Sequence, residues 1–181
     1  MYHQYAPFFS ELWHKIRNGE SLTYSWNIGM GTNFTSLFAY YLASPSNWFV
    51  ALFPQKYTIE IMNAFIILKI AGSSLSLTYY LTKHNNNKHV IAAIFGMFYG
   101  MSGFIAAYSW NIMWLDCVIL IPLIMLGLER LVNENRCIFY CITLGLCIFT
   151  NYYIAIMVCL SVVIYYVVLM IAYNGIKSPM Q

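Results

Sequence analysis

Apolar residues in this chain gather into five long runs between about Ile59 and Tyr173, separated by short polar breaks. About 20 consecutive apolar residues cross the hydrocarbon of a bilayer. The runs therefore predict membrane helices over Tyr57–Thr82, His89–Tyr108, Leu115–Leu131, Cys137–Thr150 and Tyr153–Tyr173. The fourth holds only 14 residues, about 21 Å of helix. It predicts either a crossing of thinned bilayer or one arm of a broken or re-entrant pair with the fifth. Residues 1–56 follow another rhythm. Tyr5, Phe8, Phe9, Leu12, Trp13 and Ile16 recur at helical spacing, while Glu11, Lys15 and Arg17 take the other face. That is the pattern of an amphipathic helix at a membrane interface. Asn18-Gly19 should end it, because glycine supplies the left-handed residue that a helix terminus favours. A glycine-containing loop follows from Ser25 to Asn33, and Ser44-Pro45-Ser46-Asn47 and Phe53-Pro54 mark turns between shorter helical pieces. The expected fold is all-α: a polytopic bundle of about five membrane helices over residues 57–181, preceded by a loop over residues 1–56 that carries the interfacial helix.

Composition agrees. The chain is 61% hydrophobic, 18% aromatic and 8% charged, against about 25% charged in soluble domains. It lacks the groups to coat a water-exposed surface and reads as an integral membrane protein. The net charge of +3 is small and no basic run invites nucleic acid. Cys117, Cys137, Cys141, Cys147 and Cys159 fall inside apolar runs without paired metal spacing, the setting in which cysteine acts as a small hydrophobe. The opening residues are polar and aromatic, neither a signal peptide nor a span, and predict a longer parent protein with a helix upstream.

Lysine and arginine in short loops mark the cytoplasmic side. Lys83-His84-Asn85-Asn86-Asn87-Lys88-His89, the Glu129–Arg136 loop and Lys177 share one side if there are five crossings. Residues 1–56, Ser109–Trp114 and Thr150–Tyr153 then meet outside. Asp116, the chain's one aspartate, follows Trp110 and Trp114 at the outer end of the third run. It reads either as a helix-start acid favoured by the helix dipole, or as a general base or an orienter of a metal or acceptor hydroxyl in a surface cavity. Lys69 lies near the middle of the first span, where an ammonium faces protein or water. Glu60, roughly 13 Å away along the helix, is too distant to pair with it, so an acid on a missing helix or a lipid phosphate is the expected partner. Lys15 and Arg17 sit where an anionic headgroup or phosphate would approach, although loop charges are commonly only solvated. Asn151, beside Tyr152 and Tyr153, either ends a helix or binds a sugar hydroxyl. No serine-nucleophile elbow, zinc signature or phosphate loop is present, and nothing names a cofactor.

These segments also carry a resemblance. His3-Gln4-Tyr5-Ala6-Pro7-Phe8, Gly29-Met30-Gly31, Asn111-Ile112-Met113-Trp114-Leu115-Asp116, Pro122 to Glu129-Arg130, and Asn151-Tyr152-Tyr153 resemble, in order and spacing, the bacterial YfhO family over nearly the whole chain. The resemblance implies a GT-C-type glycosyltransferase architecture. It also implies a role in decorating lipoteichoic acid and related envelope polymers with sugars from a polyprenyl-phosphate carrier. It places a catalytic acid in the first outer loop, upstream of Met1, and leaves Asp116 as the best acidic site in this chain. The expected activity is transfer of a sugar from a lipid-linked donor to an envelope polymer at the outer face of the cell membrane. Asp116 is the expected base, with Lys15, Arg17, Trp110, Asn111, Asn151 and Tyr152 binding substrate. The rivals are a lipid or solute transporter, favoured by Lys69 and a broken helix pair, and a non-catalytic membrane scaffold.

Overall fold

The computed structural model describes residues 3–85 and 89–177; Asn86, Asn87 and Lys88 of the first basic loop lie outside the described residues. Among the described residues the elements are helical apart from one hairpin of two two-residue strands. Helix α1 (Tyr5–Asn18) stops at Gly19, whose φ of +66° is the left-handed end that the sequence predicts. Strands β1 (Tyr24–Ser25) and β2 (Thr32–Asn33) pair antiparallel, Tyr24 opposite Asn33. Asn33 then caps α2 (Phe34–Leu37) by accepting from the Thr35 and Ser36 amides. A π turn (Phe38–Leu42) and two 3₁₀ turns (Pro45–Leu52, Gln55–Tyr57) lead to α3 (Thr58–His84). The rest is α4 (His89–Gly100), α5 (Gly103–Tyr108), α6 (Ile112–Glu134), α7 (Ile138–Thr150) and α8 (Tyr152–Lys177).

Four stretches among the described residues are long and apolar enough to span: Gln55–His84, Val90–Tyr108, Ile112–Glu134 and Tyr152–Ala172. The second is bent at Met101–Ser102, between α4 and α5. The five-helix bundle is present, but its fourth member, α7, has 13 residues, about 20 Å. The helix does not continue into α8: Asn151 is extended, with φ −160° and ψ 105°, and turns the chain back. The third helix begins at Ile112 rather than Leu115, so Asp116 lies beyond the first helical turn, which contains no acid. That corrects the helix-start reading, because the dipole's pull is confined to the end turn.

Side-chain pairs fix how the helices run. Lys69 meets Asp116 and Tyr80 meets Glu129, so α3 and α6 are parallel. Helix α4 returns antiparallel to α3 through Gly96 and Gly100, one turn apart, which lie against Thr78 and Ser74; a Cβ at either glycine would overlap those hydroxyls. Small residues spaced by four let membrane helices approach closely when no hydrophobic effect drives them together. Cys117 lies beside Thr150 and Gly127 beside Tyr140, so α7 descends antiparallel to α6. Helix α8 runs parallel to α6, from Asn151 near Cys117 to Tyr165 on Glu129.

Pro122 sits inside α6. Having no N–H, it leaves the Val118 carbonyl without its helical donor, and Tyr99 of α4 donates its hydroxyl there at 2.8 Å. A backbone acceptor freed inside a membrane needs such a partner.

Residues 3–57 form a cap on one end of the bundle. Tyr5, Phe9, Leu12, Phe34, Leu42 and Val50 bury together with Met62 of α3 and Ile112 of α6. The polar face of α1 departs from expectation, since Glu11 and Lys15 are 7% and 3% exposed rather than solvated. The loop after Gly19 folds over them: Ser25 and Asn27 donate to Glu11 at 2.6 and 3.0 Å, and Lys15 donates to the Ser21 and Tyr24 carbonyls. Burial opposes the charge on Glu11. The two hydrogen bonds, with Lys15 and His14 nearby, outweigh it and hold this carboxyl below its usual range.

Candidate functional site

Where the cap meets the bundle, α3 delivers Lys69 and α6 delivers Asp116. The Lys69 Nζ donates to Asp116 Oδ2 at 2.7 Å, to the Ile112 carbonyl at 3.2 Å and to Ser44 Oγ at 3.5 Å. An ammonium has three protons, so all are used. Lys69 is 5% exposed and the Asp116 side chain 14%. The expectation that Lys69 pairs with an acid on a missing helix or with a lipid phosphate is thus corrected: its partner is Asp116. Ser44 in turn shares a hydrogen bond with Ser46 at 2.8 Å, tying the cap to the pair. The other Asp116 oxygen, Oδ1, has no hydrogen-bond partner among the described residues. The carboxylate is therefore aimed by one oxygen and open at the other, an arrangement that can accept a proton or a hydroxyl.

The remaining expected site residues divide into two groups. Asn111 is buried, and its Oδ1 accepts from Tyr5 at 2.9 Å, fastening α1 to the start of α6. Asn151 is fully buried; its Nδ2 donates to the Tyr40 carbonyl, and its Oδ1 accepts from the Ile154 amide and so caps α8. Both ends of the Asn151 amide, and the Asn111 oxygen, are engaged in internal bonds. Trp110 and Tyr152 are about half exposed; Trp110 donates to the Ala107 carbonyl, and the Tyr152 ring lies 5.7 Å from that of Tyr40. Lys15 has its ammonium consumed beneath the hairpin. Arg17 is exposed and donates to the Ala51 carbonyl, but it sits about 18 Å along α1 from Tyr5. The cap thus brings Asn111 and Tyr5 toward Asp116 and holds Lys15 and Arg17 at the opposite end of α1.

Sequence reasoning singled out Lys69 but did not join it to Asp116, and it missed Ser44. Lys69 carried a signal, since a mid-span lysine demands a partner, and Asp116 was the remaining intramembrane carboxylate able to meet it near that end. Ser44 carried none. Among the described residues no three His, Cys, Asp or Glu side chains gather in a metal-sized cluster.

A bent bundle of apolar helices with an aromatic cap seated over a buried ion pair defines a polytopic helical membrane protein. The family described as bacterial membrane protein YfhO matches residues 1–181. The chain belongs to that family. No curated protein and no solved structure matches it.

Proposed function

We propose that this chain takes part in transferring a sugar from a polyprenyl-phosphate donor to a cell-envelope polymer of the lipoteichoic acid class, with Asp116 as general base. The observation that carries the reading is the Asp116 carboxylate, aimed by Lys69 through one oxygen and open at the other, beneath an aromatic cap. In the step proposed, Asp116 takes the proton of an acceptor hydroxyl. The acceptor oxygen attacks the anomeric carbon, the carbon–oxygen bond to phosphate breaks, and the phosphate leaves with the electron pair. Lys69 is a positioning residue. Trp110 and Tyr152 offer exposed rings to a sugar or carrier chain. Arg17, far along the cap, attracts the arriving phosphate rather than neutralising it during transfer. Asn111 and Asn151 serve by holding the cap in register. The capped end faces outward in this reading, because the short connections that carry Lys83, Arg130 and Arg136 lie at the other end.

The test is Asp116→Asn in cells whose single copy carries the substitution. The amide oxygen still accepts from Lys69, but the base is gone. Polymer glycosylation, normalised to protein level, should fall roughly 100-fold or more, and unaltered glycosylation contradicts the assignment.

One observation favours lipid or solute transport instead. Lys69, Ser73 and Ser76 are all buried and continue down α3 toward Tyr80 as a polar seam. Transport predicts that Ser73→Leu and Ser76→Leu abolish function as completely as Asp116→Asn, whereas transfer predicts that they leave glycosylation near the native level.

A further inference from the structure

The opposite end of the bundle holds a second polar site. A cavity of about 360 Å³ opens there among α3, α6 and α8, lined by Lys83, His84, Leu126, Glu129, Arg130 and Leu169. Glu129 is engaged by side chains other than the two rim cations: Tyr80 and Tyr165 donate to one oxygen, and His84 lies 3.0 Å from the other. Glu134, also at the rim, pairs with Arg136 at 3.8 Å. Lys83 and Arg130 have no carboxylate within ion-pair distance among the described residues. Each rests over a ring, Lys83 over Tyr79 and Arg130 over Phe139. Two cations on neighbouring helices therefore share one cavity whose carboxylates, Glu129 and Glu134, are held by other partners. Leu126 lies one helical turn before Arg130, about 6 Å deeper in the bundle, and with Leu169 it makes an apolar floor.

We infer that this cavity binds the phosphate of an anionic membrane phospholipid, with Lys83 and Arg130 holding the headgroup and Leu126 and Leu169 receiving the first carbons of its chains. Two cations without ion-pair partners among the described residues, set above an apolar floor, match a lipid, whereas a free phosphate has no use for the floor. Basic pockets between membrane helices recognise anionic headgroups by this chemistry. The site is independent of the sugar-transfer reading.

The chain in nanodiscs of phosphatidylcholine is compared with the chain in discs that also contain phosphatidylglycerol. The anionic lipid should raise the melting temperature by about 3 °C or more. Lys83→Gln with Arg130→Gln should remove that increment and leave melting in phosphatidylcholine as in the native chain. An increment that survives in the variant, or an equal one produced by inorganic phosphate in phosphatidylcholine discs, overturns the proposal. A measurement on a chain that keeps both cations guards against a variant that fails to fold. A photo-reactive benzoylphenylalanine at Asn133, on the cavity rim, should capture phosphatidylglycerol about threefold or more over phosphatidylcholine at equal amounts, and equal capture contradicts the site.

Discussion

At the scale of single residues, the Lys69–Asp116 pair has two uses that must be separated. Stripping one partner from a buried ion pair leaves the other uncompensated, at about 3–5 kcal/mol. Lys69→Met should therefore lower stability by that order, read as a fall in melting temperature in detergent, with unchanged melting ruling out a buried pair. Tyr99 offers a cleaner deletion. Tyr99→Phe keeps the ring but leaves the carbonyl that Pro122 exposes at Val118 without its donor. The expected loss is about 1–2 kcal/mol. Restoring a helical donor with Pro122→Ala should make the same Tyr99→Phe change nearly neutral, and a loss that persists would show that Tyr99 does not serve that carbonyl. Pro122 was visible in the sequence, but its partner was not, because nothing local says which neighbouring helix supplies the hydroxyl.

At the scale of elements, α1 shows what periodicity reveals and what it hides. Its bounds and its stop at Gly19 follow from the apolar spacing and one glycine. The fate of its polar face does not, because burial of Glu11 and Lys15 depends on a hairpin that returns from later in the chain. Since Glu11 holds its proton less tightly folded than unfolded, its contribution to stability is present above the usual carboxylate range and lost as pH falls below it. Hydrogen exchange should show α1 equally protected from pH 7 down to about 5 and losing protection below that. Glu11→Gln should flatten this dependence, and an unchanged acid response would remove Glu11 as its source. The α7–α8 break behaves similarly. The shortness of the fourth apolar run was legible, and so was a break at Asn151, but the long-range bond from Asn151 to Tyr40 was not. Asn151→Ala should cost about 1–2 kcal/mol through the lost cap, visible as faster exchange at the start of α8.

At the scale of the whole molecule, five helices and a cap could be read from hydropathy, because each run must satisfy a fixed thickness of hydrocarbon. Their contacts could not, since the pairings that define the bundle join residues 13 to 111 positions apart. Asp116 was singled out because it is an acid in an apolar setting; that it comes with its own lysine is what the fold adds. The central claim is that this carboxylate acts in transfer and is not only a structural partner. Asp116→Asn combined with Lys69→Gln replaces the ion pair by two neutral amides able to hydrogen-bond, leaving no buried charge. Melting temperature and polymer glycosylation are measured for each single variant and for the pair. The account predicts that the double variant melts close to the native chain while glycosylation stays reduced roughly 100-fold or more. Recovery of glycosylation together with stability would contradict it and leave the pair a purely structural fastening.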